Sequence, residues 1–289
     1  MDQKFNKEYQ STKETIDKIE FKKRENPAKC AIFVMVQNEP VFLPIWLKYY
    51  SRYFEEDAIF VLDHRSSDGS IEKCAEEYKF NHIKLDYPYS FDHLWIQFTS
   101  NNIQKKLLNH FEYVLFTDVD EIIFPNPDKF EDLRSYLHNL QADYVRCKGY
   151  ELIHMKKREK PFDESKTVLS QRSYWYANQF FSKTPLAKKE LNWEVGNHHV
   201  AAQKTSPSKD LFLIHLHKLD FDMCFQKSVE RSKLRWKTVE IEKNRGWQNR
   251  ITDLKTFKRF FYVLPRWFYL PRWLTIRRIP TTIKEKDLF

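Results

Sequence analysis

Residues 113–121 read YVLFTDVDE. Five residues that suit a buried strand run straight into Asp118, Asp120 and Glu121. The next four, Ile122-Ile123-Phe124-Pro125, read as a hydrophobic turn. Two carboxylates that flank one residue at a strand end can hold a hard divalent cation beside a diphosphate. The bland reading of the same residues is an acidic loop that caps the next element.

Two upstream segments repeat the design. Residues 30–37 (CAIFVMVQ) form a buried strand that runs into Asn38-Glu39. Residues 58–62 (AIFVL) form a second strand, ending at Asp63. Between them, residues 41–54 place apolar side chains at helical spacing, with Pro44 tolerable in a first turn. Residues 68–80 read as a helix with Asp68 as its N-cap. A third strand falls near 82–86 and a helix around 94–110. Strands alternating with helices predict an α/β fold, a mainly parallel sheet flanked by helices. From residue 140 the pattern loosens into strands at 143–148 and 210–216, a less regular C-terminal half. Ligands of such sheets bind at the carboxyl ends of the strands, where the acidic loops lie.

Composition narrows the chemistry. The chain has 289 residues, 42% hydrophobic and 16% aromatic, enough to bury a large core. It has only four glycines, and neither G-x-G-x-x-G nor G-x-x-x-x-G-K-[ST] occurs. Gly-rich phosphate loops are thereby excluded. The four cysteines (Cys30, Cys74, Cys147 and Cys224) are never spaced C-x-x-C and read as reduced, buried thiols of a cytoplasmic protein. The longest apolar run, residues 30–36, is far short of the about 20 residues of a membrane span. The charged N-terminus does not read as a signal peptide.

The net charge of +9 is concentrated at the end of the chain. Residues 254–289 hold nine Lys and Arg against Glu285 and Asp287, a net +7. Aromatic residues are interleaved with these cations. Three segments follow: a charged N-terminal arm over 1–29, a catalytic-type domain over 30–253, and a basic aromatic tail over 254–289.

V-Q-N-E at 36–39, D-H-R-S-S-D-G-S at 63–70 and D-V-D-E at 118–121 form a pattern together. It resembles nucleotide-sugar glycosyltransferases of the GT-A type, a Rossmann-like fold. The likeness is to family 2-like and family 92-like members, which read roughly V-K-N-E, D-N-x-S-x-D-G-S and D-x-D-E-F. It spans about residues 30–235. Gln97 falls where these families often have Gln. Ile214-His215-Leu216-His217-Lys218 and Phe225-Gln226-Lys227-Ser228 look like their late H-x-x-x-S-x-x-x-F-x-x-K stretch, and Gly196-Asn197-His198-His199 like their G-x-H element. Gln37, His64-Arg65 and Asp220 depart from the pattern.

The resemblance implies a metal-dependent, inverting transfer of a sugar from a nucleotide-diphosphate sugar to a saccharide or glycolipid. Glu39, Asp63, Asp68, Gln97 and Asp118 would bind the nucleotide sugar. Asp118 and Asp120, with His217 or His215, would bind Mn²⁺ or Mg²⁺. The two histidines are read as pointing to opposite faces of a strand, so that one faces the site. The base that deprotonates the acceptor would be Glu194, Glu121 or Glu151. Glu194 is favoured because Trp193 beside it suits sugar stacking. His198 and His199, with Trp193, are expected at the acceptor.

Two other readings compete. D-V-D-E after a buried strand suits a haloacid-dehalogenase-type phosphatase, with Asp118 as nucleophile. The tail, 254–284, suits peripheral contact with an anionic membrane at the cytoplasmic face, or a nucleic acid. Pro265 and Pro271 interrupt the tail, so a long continuous amphipathic helix is not expected; partial packing with peripheral membrane contact is favoured, and no nucleic-acid partner is expected.

Overall fold

A computed structural model describes residues 7–21, 28–197, 199–200, 206–262, 275–286 and 289. In chain order the elements are α1 (Gln10–Asp17), β1 (Cys30–Val36), α2 (Phe42–Tyr50), β2 (Ile59–Asp63), α3 (Ser70–Glu77), β3 (Asn81–Lys84), α4 (His93–Leu108) and β4 (Tyr113–Phe116). Then come β5 (Glu121–Pro125), α5 (Leu133–Asn139), β6 (Tyr144–Val145), β7 (Lys148–Leu152), α6 (Val168–Gln171), β8 (Tyr174–Ala177) and β9 (Leu186–Ala187). The chain continues through β10 (Leu211–His215), α7 (Phe221–Ser232), α8 (Thr238–Glu242), α9 (Leu254–Tyr262), β11 (Arg277–Arg278) and α10 (Thr281–Lys284).

The first sheet has the order β3-β2-β1-β4-β9-β6. Its first four strands are parallel, β9 runs antiparallel to β4, and β6 pairs antiparallel with β9 and so runs with the first four. β1 is an unbroken apolar run because both of its faces are covered. Its residues alternate between them. Ala31 and Phe33 pack with Phe60, Trp95 and Leu107. Ile32 and Val34 pack with Trp46, Leu47 and Ile123.

The C-terminal half is more regular than its sequence pattern suggests. It contributes a second sheet, β11-β8-β7-β10-β5, in which only β7 and β10 run parallel. Residues 122–125, expected as a turn, belong to its edge strand β5. That strand pairs with β10, placing Ile122 against Ile214 and Phe124 against Phe212. A short β-branched segment after a polar loop gives no sign of a strand until its partner, ninety residues later, is in place.

Both ends of the chain are tied to this body. Thr12 and Ile16 of α1, with Tyr9 just before it and Ile19 just after, recur at helical spacing and are buried. Trp95 Nε1 donates to Thr12 Oγ1 at 2.9 Å. In the tail, α9 buries Phe257 and Phe261, β11 pairs with β8, and Phe289 packs edge-on against Tyr49. Residues 263–274, with Trp267, Phe268, Tyr269 and Trp273, lie outside the described residues. Among those described, no helix is long and apolar enough to cross a membrane, and the four cysteines are buried and free.

Asp92 joins α1, the β3–α4 loop and the segment before α8. One oxygen caps α4 by accepting from Leu94 N and Trp95 N at 3.0 and 3.2 Å. The other accepts from Tyr87 OH, Lys237 Nζ and Tyr9 OH at 2.5, 2.7 and 3.0 Å. Burial alone would raise its pKa, but the Lys237 and Tyr87 hydrogen bonds outweigh that and hold it below the usual carboxylate value. Its stabilisation is therefore full above the unfolded carboxylate pKa of about 3.9 and fades as pH falls through the lower folded value. Asp92→Asn should cost about 3 kcal/mol at pH 7 by denaturant unfolding, since it leaves Lys237 without its buried partner. The difference from wild type should shrink below about pH 4.

Candidate active site

A cleft of about 1160 Å³ opens at the carboxyl ends of β1 and β4. Val36, Glu39, Asp118, Asp120, Glu151 and His215 are among its lining residues. The two sheets meet here. β4 delivers the acidic loop, which turns back at once as β5. The β5–β10–β7 pairing then sets Glu121, His215 and Glu151 side by side, one per strand.

Asp120 is buried, and two imidazoles converge on its Oδ2: His215 Nε2 at 3.4 Å and His217 Nδ1 at 3.6 Å. One ligand atom from each of the three residues lies within 4.8 Å of the others. On the far side of its ring, His215 Nδ1 meets Glu151 Oε1 at 2.9 Å. Glu151 Oε2 accepts from Asn178 Nδ2 at 3.3 Å and Tyr176 OH at 3.4 Å. One face holding both histidines corrects the expectation of opposite faces. Residues two apart on a strand share a face, and His217, two residues past the end of β10, still turns its ring to Asp120. The rings of His215 and His217 are nearly coplanar in tilt, 4° apart, with centroids 5.5 Å apart.

Charge is shared unevenly in this cluster. Burial would lower the His215 pKa, but Asp120 and Glu151 outweigh it and push it up to about 10. Burial would raise Glu151, yet His215 holds it down at about 2. Asp120 is likewise held well below the carboxylate range by the two histidines, against its burial. His217 is pushed down by burial, with the charge of His215 adding to the effect. One carboxylate and two imidazoles, with a carboxylate behind one imidazole, form a donor set suited to a first-row divalent ion. Mn²⁺ fits these nitrogen ligands better than Mg²⁺, which prefers oxygen.

Asp118 lines the same cleft but has a different partner. Its Oδ2 accepts from Lys183 Nζ at 2.6 Å. Lys183 is buried and also lies 2.7 Å from Glu121 Oε1, close enough for an ion pair though not aligned as a hydrogen bond. Asp118 N donates to Glu121 Oε2 at 3.1 Å. The D-x-D pair is thus split, with Asp118 on a lysine and Asp120 on the histidines. Glu121, expected to reach the sugar or acceptor, is instead 1% exposed, off the cleft lining and bound to Lys183. Burial raises its pKa against the opposing pull of Lys183. Nothing local marks Lys183 in the sequence, since it belongs to no motif and Lys188 and Lys189 follow close behind it.

The remaining expected residues divide. Glu39 lines the cleft and is held by Lys227 and by Arg231, whose Nη2 donates at 2.9 Å. Asp63 does not line it. Its oxygens are taken by Ser66 N at 2.8 Å and His82 Nε2 at 3.0 Å, while its neighbour His64 is the lining residue. Asp68 supports the loop, accepting from Ser70 N at 3.1 Å and Oγ at 2.6 Å, and the N-cap is Gly69 rather than Asp68. Gln97 is also off the cleft, and its Nε2 donates to Trp193 O at 2.7 Å.

Trp193 cannot stack on an acceptor. It is 1% exposed, packed on Phe116 and Phe33, and its Nε1 donates to Thr184 O. Glu194 and His199 are exposed and joined through their backbones at 2.9 Å, and neither lines the cleft. From that loop it is Gly196 and Asn197 that reach it. His198 lies outside the described residues. Of the three glutamates expected as base, only Glu151 lines the cleft, and there it serves His215.

No family model matches the chain, and no curated protein matches it. Among solved structures, it is similar to one described as the apo structure of WbbM, a bifunctional glycosyltransferase. The TM-score is 0.31 at 10% identity, over 74% of this chain and 36% of that one. The chain thus spans about a third of that protein's length.

Lys183→Met would leave a buried Glu121 without its cation and should destabilise the fold by about 3 kcal/mol or more in denaturant unfolding. Adding Glu121→Leu should recover part of that loss, because the uncompensated charge is then gone.

Proposed function

We propose that the protein is a glycosyltransferase of the GT-A type. It would move a sugar from a nucleotide-diphosphate sugar to a saccharide or glycolipid, with inversion at the anomeric carbon. The observation that carries this reading is the convergence of Asp120, His215 and His217 in the cleft at the carboxyl ends of the parallel strands. The V-Q-N-E loop brings Glu39 to the same cleft. A phosphatase that used Asp118 as nucleophile would leave the two histidines on Asp120 without a role.

Asp120, His215 and His217 would hold the Mn²⁺ or Mg²⁺. A bound ion would neutralise the charge that develops on the leaving diphosphate. Glu151 fixes the His215 ring by holding Nδ1, which leaves Nε2 directed at the cluster. Lys227 and Arg231, drawn together by Glu39, supply cationic donors on the cleft wall that suit phosphate oxygens. In the transfer, the acceptor oxygen bonds to the anomeric carbon as its bond to the diphosphate breaks. The acceptor proton passes to a carboxylate of the cleft, and the nucleoside diphosphate leaves. The +7 of residues 254–289 supports a place of action at the cytoplasmic face of an anionic membrane.

Thermal unfolding with UDP, GDP, CDP or ADP, with and without Mn²⁺, tests this. One diphosphate should raise the melting temperature only with the metal, by an amount corresponding to about 2.7 kcal/mol at a hundredfold excess over Kd. Asp120→Asn should abolish the rise, and no rise with any diphosphate in wild type would overturn the proposal. Glu151→Gln should keep the fold and weaken Mn²⁺ binding about 10- to 100-fold by calorimetric titration.

A further inference from the structure

Two short turns line the cleft, and their sequences mirror each other in composition: Asn178-Gln179-Phe180 and Trp247-Gln248-Asn249. Each offers one aromatic ring and two amides. Phe180 is 59% exposed and Trp247 44%, the two most open aromatic rings of the described chain. The turns stand at the two ends of a row of rings that passes through the proposed metal cluster. Phe181 stacks on His215 with centroids 3.9 Å apart, and His215 lies beside His217. His217 meets Phe260 edge-on at 6.2 Å, and Phe260 meets Trp247 at 5.6 Å.

Both turns are seated by a glycine. A Cβ at Gly149 would come within 2.3 Å of the Phe181 carbonyl carbon, so the first turn lies directly on the β7 backbone. Gly246 opens the second turn at φ +61°, where a Cβ would also come within 2.9 Å of Trp236. In a chain with four glycines, two are placed to hold these turns against the cleft. Among the described residues, the side-chain amides of Gln179 and Gln248 make no hydrogen bond, although both residues line the cleft. Aromatic faces with unengaged amides suit the apolar face and the hydroxyl edge of a pyranose. Neither turn carries an acid, and the arginine that meets the second turn, Arg231, is already engaged by Asn249 Oδ1 at 2.9 Å and by Glu39 Oε1 at 2.9 Å.

We propose that these two turns form the acceptor subsite, and that the acceptor is a neutral saccharide whose rings rest on Trp247 and Phe180. Gln248 and Gln179 hydrogen-bond its hydroxyls. The inference rests on the glycosyltransferase reading and replaces Trp193, His198 and His199 as the acceptor contacts.

The test is saturation-transfer NMR on the full chain with a panel of neutral probes. These are the methyl glycosides of glucose, galactose, mannose and N-acetylglucosamine, and the corresponding disaccharides. Wild type should bind at least one probe. Trp247→Ala should weaken that binding about tenfold or more, and Gln179→Ala should weaken it too, while both variants keep the metal-dependent nucleotide shift. The inference falls if wild type binds no probe, or if both variants bind as wild type does. It also falls if Trp247 contributes only to partition into phosphatidylglycerol vesicles. A nucleotide shift without saccharide binding overturns the acceptor assignment alone. Loss of both in wild type overturns the glycosyltransferase reading with it.

Discussion

The site depends on the register between β5, β10 and β7. Glu121, His215 and Glu151 sit directly across from one another in that pairing. A shift by one residue would turn each side chain to the other face of the sheet. His215 would then lose Glu151 behind it and Asp120 in front of it. The register is fixed by apolar pairs further along the same strands, Ile122 with Ile214 and Phe124 with Phe212, all in the core or packed on it. A hydrophobic constraint thereby sets the geometry of a polar cluster.

The acidic loop between β4 and β5 shows how one short motif is divided between support and chemistry. Its backbone turns tightly, with Glu121 N donating to Asp118 O at 3.0 Å. Lys183 then draws Asp118 and Glu121 to one side, and Asp120 is left to the histidines. A buried lysine between two carboxylates contributes less to net stability than its short distances suggest, since its desolvation opposes the attraction. Its consequence is positional, because it settles which aspartate faces the cluster.

The first sheet was legible in the sequence because its strands are buried on both faces and read as continuous apolar runs, as in residues 30–36 and 58–62. The second sheet was less so. β5 looked like a turn, and β8 is a short segment whose pairing with β7 and β11 depends on distant partners. Among site residues, Glu39, Asp118, Asp120, His215 and His217 are visible from the motifs and line the cleft, as does Glu151, which the sequence offers only as one of three candidate bases. Trp193 and Glu194 were misplaced for opposite reasons. The tryptophan is absorbed by the core, whereas the glutamate lies outside on the loop. Lys183 and the two amide-aromatic turns carry no motif, and only the folded chain brings the lysine to Asp118 and the turns to the cleft. Of the four glycines, first noted because phosphate loops need more of them, Gly69, Gly196 and Gly246 take left-handed backbone at turns, and Gly149 lies in β7 under the Phe181 backbone.

The central claim is that Asp120, His215 and His217 together hold a divalent ion for a nucleotide-sugar donor. A crystal structure of the protein grown with Mn²⁺ and a nucleoside diphosphate, with data collected at the manganese edge, tests it most directly. An anomalous peak bonded to Asp120 and both histidines, and to the diphosphate, is the result expected. A peak elsewhere, or a diphosphate bound in the cleft with no metal at the cluster, would contradict it.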